Sequence, residues 1–261
     1  MKFRMMRGVL GCMALGMFAL GSPVAVAGQL EALTAHVPDK VDFDAAKNVG
    51  VKKIAILHIN PMRHFVIQNS SLLAAAFPGL AEAVVEGGVN TKHTSDYLDA
   101  LKKKSVAFGP QLAEALQREL TKDGYEVSVL QQSPRLKEDK KTLDYSNINS
   151  DADALLTVWY SKTGYWSPTN KPDFSPMIIV GVKLTDAHTF ETLFFKAFDV
   201  TPVAGQVSNE NVDAILPDAK YQYADFDTLM SHFDESVQGL QDSQDLIATH
   251  VAQRLKPAAN P

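Results

Sequence analysis

The sequence predicts an α/β fold: a single domain with a mixed sheet of about five strands flanked by helices, a helical insertion after the first strand, and a helical C-terminus. Three observations predict it. Short runs rich in apolar and β-branched residues, at 53–59, 125–130 and 154–160, have the length and composition of strands. Between the first two lies a stretch whose apolar residues recur near every 3.6 positions, the period of a helix. The last third carries apolar stripes at the same spacing. Strands and helices alternating in this way bury their apolar surfaces by packing in layers.

Residues 1–27 read as a signal peptide. Lys2, Arg4 and Arg7 make a basic start, residues 9–20 an apolar run, and Ala25, Val26, Ala27 a small-x-small cleavage pattern. The run is short and broken by glycine, whereas a membrane span needs about 20 apolar residues. The expected mature chain starts at Gly28 in the periplasm. Val9, Leu10, Gly11 and Cys12 also resemble a lipoprotein signal, so the alternative is a chain lipid-anchored at Cys12. Residues 28–50 read as a lead-in, 51–256 as the α/β domain with an insertion at 61–104, and 257–261 as a tail.

The leader holds three basic and no acidic residues, which leaves 22 basic against 30 acidic, a net −8. An acidic chain without a Lys/Arg stripe is not built for nucleic acid; Lys102, Lys103 and Lys104 read as a solvated helix end. An apolar content of 46% is enough for a packed core. Cys12 is the one cysteine, so a mature chain without it has no disulfide, thiolate metal site or cysteine nucleophile. The most apolar internal stretch, residues 72–85, is too short to cross a bilayer as a helix. Its plain reading is a buried helix; the alternative is a contact helix for a partner or a membrane surface.

The elements follow in order. The first strand stops at Asn60 and Pro61, since proline removes a ladder donor. The insertion carries a helix around 72–86 stopped by Gly87 and Gly88, then a second helix ending near Lys103. Ser105 is the expected cap of the clearest helix, with Val106, Leu112, Ala113, Leu116 and Leu120 on one face and Gly124 as its stop. Residues 165–176, with three prolines, read as a loop. Residues 177–185 and 192–200 form a hairpin with Ile178, Val180, Val182 and Leu184 on one face, and Lys183 and Lys196 turned outward. Phe226, Leu229, Met230, Phe233, Val237 and Leu240 form one C-terminal stripe; Leu246, Ile247, Val251 and Leu255 form another. Gly239 and residues 241–245 are where these would split into two helices.

This order resembles the anticodon-binding-like α/β fold of bacterial envelope proteins, of the type of the curli secretion channel subunit, the amino-terminal domain of TolB and the periplasmic ring lipoprotein of Pel export. Its members open with a strand like Lys53, Ile54, Ala55, Ile56, Leu57. A helix like residues 112–122 leads through a glycine into a strand like residues 125–130. The "GAD-apolar" strand is matched by Asp151, Ala152, Asp153, Ala154, Leu155, Leu156. The hairpin pattern "L-x-D-x-x-T-G-E" is matched by Leu184, Asp186, Thr189 and Glu191, with Phe190 where the pattern has glycine, which predicts a different turn. The likeness covers roughly residues 50–200 and the terminal helix, but not the insertion. It implies a largely non-enzymatic protein that works in assembly or secretion, and it supplies no catalytic residues.

Candidate chemistry is sparse. His58, Arg63 and His64 cluster at the end of the first strand, where ligands gather in α/β sheets; His93 and Asp96 are the residues the insertion could add. A zinc site needs three or four convergent donors, and no HExxH or cysteine pair is present. A surface role is expected, with no metal and no cofactor. Asp186 and His188 read as turn residues before an acid–base pair. No G-x-S-x-G, Walker or dinucleotide glycine pattern occurs. The aromatic constellation Trp159, Tyr160, Tyr165, Trp166 and Phe174 is the stronger signal. Tyr165, Trp166 and Phe174 are the candidate interface or ligand contacts, since Tyr and Trp combine apolar faces with a polar handle. The expected function is a non-enzymatic exported envelope protein acting through contacts with envelope proteins or with its own copies. A periplasmic small-molecule or glycan binding module is the second reading, and an unrecognised hydrolase the third.

Overall fold

The computed structural model describes residues 41–45, 47–62, 64–70, 82–137, 143–168, 171, 173–203 and 211–257. In chain order these form β1 (Lys53–Ile56), β2 (Phe65–Asn69), α1 (Glu82–Lys104), α2 (Phe108–Lys122), β3 (Glu126–Val129), and a small hairpin of β4 (Arg135–Leu136) and β5 (Leu143–Asp144). Then come β6 (Ala154–Ser167), β7 (Ser175–Asp186), β8 (Thr192–Val200), β9 (Val212–Ile215), α3 (Phe226–Ser231) and α4 (Phe233–Arg254). The α/β class is as the sequence predicts, with a mixed sheet of seven strands rather than about five.

The sheet order is β3-β1-β6-β7-β8-β9, and β2 pairs with β6 as well. β1 and β2 lie end to end along one side of β6, opposite Ala154 to Leu156 and Thr163 to Ser167 respectively. Where the chain leaves this edge between them, β6 bulges at Tyr160 and Lys162. The start of α2 packs at this break. Tyr160 Oη donates to Phe108 O at 3.0 Å, and the bare Cα of Gly109 lets the helix approach the Ile59 carbonyl, which a Cβ there would strike.

One face of the sheet is closed by helices. Ile54, Ile56, Leu156, Ile178, Val180, Val182, Leu184 and Phe198 pack with Leu112, Leu116 and Leu120 of α2 and Leu240, Ile247 and Val251 of α4. Ile178, Val180, Val182 and Leu184, alternate residues of β7, are fully buried on this face. Each such side chain contributes about 1.5–3 kcal/mol by leaving water. The opposite face carries a smaller cluster of Ala55, Leu57, Tyr145, Ala152 and Leu155. No residue of a described helix joins it.

Several elements differ from the sequence expectation. α1 is one helix running through Gly87 and Gly88. Each glycine costs about 1 kcal/mol of helix propensity, but tertiary packing outweighs it: Tyr97 and Leu101 are buried, and Thr94 Oγ1 and Asn90 Oδ1 accept the edge N–H groups of Ile67 and Asn69 at 2.9 Å. These bonds also blunt the open edge of β2, a strand that the insertion pattern hid. Residues 72–81 lie outside the described residues. α2 begins at Phe108 without a side-chain cap, and Ser105 takes a positive φ of 53° instead. The C-terminal helices part at His232 and not at Gly239. Lys196 is buried against Asp213, the carboxylate that also pairs with Arg254, rather than turned outward.

Candidate functional site

β6 runs to Ser167, so residues 165–167 are strand and not loop. It pairs with β7 over nearly its whole length, and that pairing carries it up to Pro168. Alternation then sends Tyr165 and Trp166 to opposite faces. Tyr165 is fully buried on the helix side; its Oη donates to Ser236 O at 2.8 Å and its ring meets Tyr97 and Tyr223. Burial raises its phenol well above the ordinary range. Phe174 is 1% exposed and exchanges backbone hydrogen bonds with Tyr223. Tyr165 and Phe174 therefore serve the core, which corrects their reading as contact residues. Trp166 is half-buried on the other face.

The bulge at Tyr160 and Lys162 shifts the phase of β6 by one residue, so Trp159, Lys162 and Trp166 share the face away from the helices. The two tryptophans of the chain thus lie on one side of the sheet. The Trp159 ring covers Gly181, where a Cβ would collide with it, and stacks with Phe195 at 5.9 Å. Trp166 Nε1 donates to Ser70 Oγ at 3.0 Å. Lys162 Nζ donates to Gln68 Oε1 at 2.9 Å, and Gln68 Nε2 in turn to Ser70 Oγ at 3.3 Å.

Asp199 of β8 shares this face, two strands from Lys162 through Ile179. Burial pushes its carboxyl up to about 6, against the Thr201 hydroxyl and the Lys162 charge, which pull it down. Its Oδ1 is buried without a hydrogen-bond partner among the described residues. Burial lowers Lys162, and the Asp199 charge opposes that. Further along the face, Tyr145 Oη lies 3.2 Å from Thr157 Oγ1, and Lys183 Nζ sits 5.7 Å above the Tyr145 ring. Indole faces, an ammonium, an amide and a carboxylate in one row suit recognition of a protein surface or a saccharide.

The polar residues at the β1 end do not gather into a site. His58 is half-buried with its backbone N–H on Gln132 O at 3.0 Å. His64 is exposed, and its carbonyl accepts from Thr163 N. Arg63 lies outside the described residues. His93 stacks on Phe226 at 3.8 Å, and Asp96 pairs with Lys92. Among the described residues no three His, Cys, Asp or Glu side chains are placed to hold a metal. Asp186 is a turn residue: its Oδ1 accepts from His188 N at 2.8 Å and Thr189 N at 2.7 Å. Those backbone donors, Thr189 first, hold its carboxyl low against burial. No described helix is long and apolar enough to cross a membrane.

Sequence reasoning missed Gln68, Lys162 and Asp199. Period-2 alternation along β6 is the signal that would have found Lys162, but the bulge breaks that period between the two tryptophans.

No protein-family profile and no curated protein matches the sequence. Solved structures give distant likenesses. A Xanthomonas campestris protein of family DUF330 is similar over 77% of this chain and 82% of its own, at 8% identity and a TM-score of 0.36. The PelC dodecamer of Paraburkholderia phytofirmans is similar over 80% and 90%, at 10% identity and a TM-score of 0.33. A hypothetical protein of Chlamydia trachomatis is similar over 80% and 100%, at 10% identity and a TM-score of 0.31. Scores of this size carry nothing beyond the likeness itself.

Proposed function

We propose that this chain is a non-enzymatic protein of the bacterial envelope, exported to the periplasm by residues 1–27, that works through protein–protein contacts in a secretion or envelope-assembly complex. The observation that carries the proposal is the placement of Trp159 and Trp166 on the sheet face that no described helix covers. Tryptophan is enriched among the residues that dominate binding energy at interfaces. The export leader and the hairpin and strand motifs shared with envelope proteins support the same reading. The row of Trp166, Gln68, Lys162 and Asp199 favours a second reading, a saccharide-binding module.

In-cell crosslinking of the exported chain tests the first reading against the second. Adducts with a defined envelope protein, lost in the Trp159→Ala/Trp166→Ala double variant, support the contact role. A monomer with no envelope adduct sinks it. Because both tryptophans report from one face, a saturable shift of their emission on adding a saccharide, without adducts, transfers the assignment to glycan binding.

A further inference from the structure

The turn between β7 and β8 places a bulky aromatic residue at a position that favours glycine. Phe190 has φ 61°, in the left-handed region. Glycine enters that region freely, whereas a residue with a Cβ is held there against steric cost. The turn therefore holds Phe190 in the left-handed region without a glycine. Its hydrogen bonds do not use the Phe190 side chain. Asp186 Oδ1 accepts from His188 and Thr189 N–H, Phe190 N donates to Asp186 O at 3.0 Å, and Asp186 N donates to Glu191 O at 2.9 Å.

The ring itself is 46% exposed. Its inner face stacks on Tyr145 at 5.9 Å, nearly parallel at 17°, and Lys183 also sits against Tyr145. So the ring is held in one orientation, with its other side in water, on a backbone that glycine would occupy more easily. Strain of this kind persists where a function uses it.

We infer that Phe190 is the anchor of a protein-docking surface at the end of the sheet where β1, β3 and β6 begin, and that its partner presents an apolar pocket rimmed by lysine or arginine. The inference rests on the contact role proposed above. Charge identifies the partner. Glu126, Lys53 and Asp186 stand at that end of β3, β1 and β7, and Asp153 just before β6. Ala187 N donates to Asp153 O at 2.9 Å, which ties the turn to this row. Asp151 and Glu191 flank it, both exposed. Against these five carboxylates stand Lys52, exposed, Lys53, which lies 3.0 Å from Asp151 and 3.9 Å from Glu126, and Lys183 beside the Tyr145 ring, which leaves a formal excess of two acidic charges. An acidic rim around an aromatic knob complements a basic rim around a pocket and steers such a partner in. The same carboxylates repel an anionic lipid surface, which sets a protein partner above membrane insertion of the ring.

A photo-crosslinking phenylalanine analogue at position 190 of the full exported chain, irradiated in cells, tests this, with the analogue at exposed Leu216 as the comparison position. The expected result is a strong adduct from position 190 with one envelope protein, mapped to a segment rich in Lys or Arg. The purified pair should then bind at least tenfold more weakly with Phe190→Gly, keep affinity with Phe190→Tyr, and weaken with Glu191→Lys and with added salt. Phe190→Gly should melt no lower than the parent, which separates lost contact from lost fold. Adducts from Leu216 and none from 190 overturn this inference while leaving the contact role standing. Adducts from neither position overturn this inference; the contact role falls only if the exported chain also gives no envelope adduct that the Trp159→Ala/Trp166→Ala variant loses. Binding to vesicles of phosphatidylethanolamine and phosphatidylglycerol that depends on Phe190 replaces the protein partner with a membrane and also overturns it.

Discussion

On the helix-covered face, Asp213 of β9 accepts from Arg254 Nε at 2.6 Å and Nη2 at 2.8 Å and lies 3.0 Å from Lys196 Nζ. On the opposite face, Asp199 of the neighbouring strand has one oxygen with no hydrogen-bond partner among the described residues. Both side chains are buried, and burial pulls both carboxyls upward. At Asp213 the hydrogen bonds and charges of Arg254 and Lys196 outweigh burial and hold it below its ordinary value. At Asp199 burial wins. The helix face is thus finished for stability, with its buried ions paired. It still holds neutral buried atoms without a hydrogen-bond partner among the described residues, Gln244 Oε1 and Thr163 Oγ1, so the two faces differ in their buried charge. The other face keeps a buried carboxylate with an unpartnered oxygen, beside both tryptophans, and proteins tolerate such local inconsistency where a surface has work besides folding.

Removing the paired carboxylate has the largest expected effect. Asp213→Ala leaves Lys196, 5% exposed, and Arg254 with only the more distant and exposed Asp42, 3.9 Å from Lys196 Nζ, and breaking a buried pair from one side costs about 3–5 kcal/mol. Urea denaturation at pH 7 should show the midpoint falling accordingly; an unchanged midpoint refutes the closed-face account. The pH sign follows from the lowered Asp213 carboxyl. The parent holds this stability above the ordinary carboxylate range and loses it as pH falls through the lowered value. The variant lacks that acid limb.

Asp199 has the opposite sign. A carboxyl raised to about 6 in the fold favours folding while protonated. Its contribution is fully present below the unfolded value of about 4 and is lost as pH rises through about 6. Asp199→Asn should therefore stabilise the protein at pH 7 by about 1–2 kcal/mol, since one pKa unit is about 1.4 kcal/mol and the amide keeps one unpaired atom. Stability measured from pH 4 to 7 should fall in the parent and stay flatter in the variant. A variant weaker than the parent at pH 7 means that the carboxylate has a partner it needs.

The same contrast explains what the sequence disclosed. The helix face was legible because its signals are periodic. Ile178, Val180, Val182 and Leu184 alternate, Leu112, Leu116 and Leu120 recur by turns of a helix, and all seven are fully buried. Gly124 stops α2 with φ 97° as expected. The face away from the helices was not legible. A bulge hides the phase that joins Trp159, Lys162 and Trp166, and Asp199 and Gln68 reach it from strands distant in sequence. Tyr165 and Phe174 looked like loop aromatics because three prolines surround them, and only the pairing with β7 shows that the strand outlasts that signal. β9 and β2, of four and five residues, are too short for a period to register.

The smallest expected effects compare two neighbours on β6 that face opposite ways. Tyr165→Phe removes a fully buried hydroxyl that donates to Ser236 O. No water replaces it there, and the loss should be about 1 kcal/mol. Trp166→Phe removes the bond to Ser70 Oγ, but on a half-buried side chain water restores part of it, so the loss should stay below about 0.5 kcal/mol. Trp166→Phe should also remove one of only two emitters while leaving the melting curve nearly in place. If Trp166→Phe costs more than Tyr165→Phe, Trp166 holds the fold as firmly as the core does, and the tryptophan face is a second core rather than a surface kept for contact.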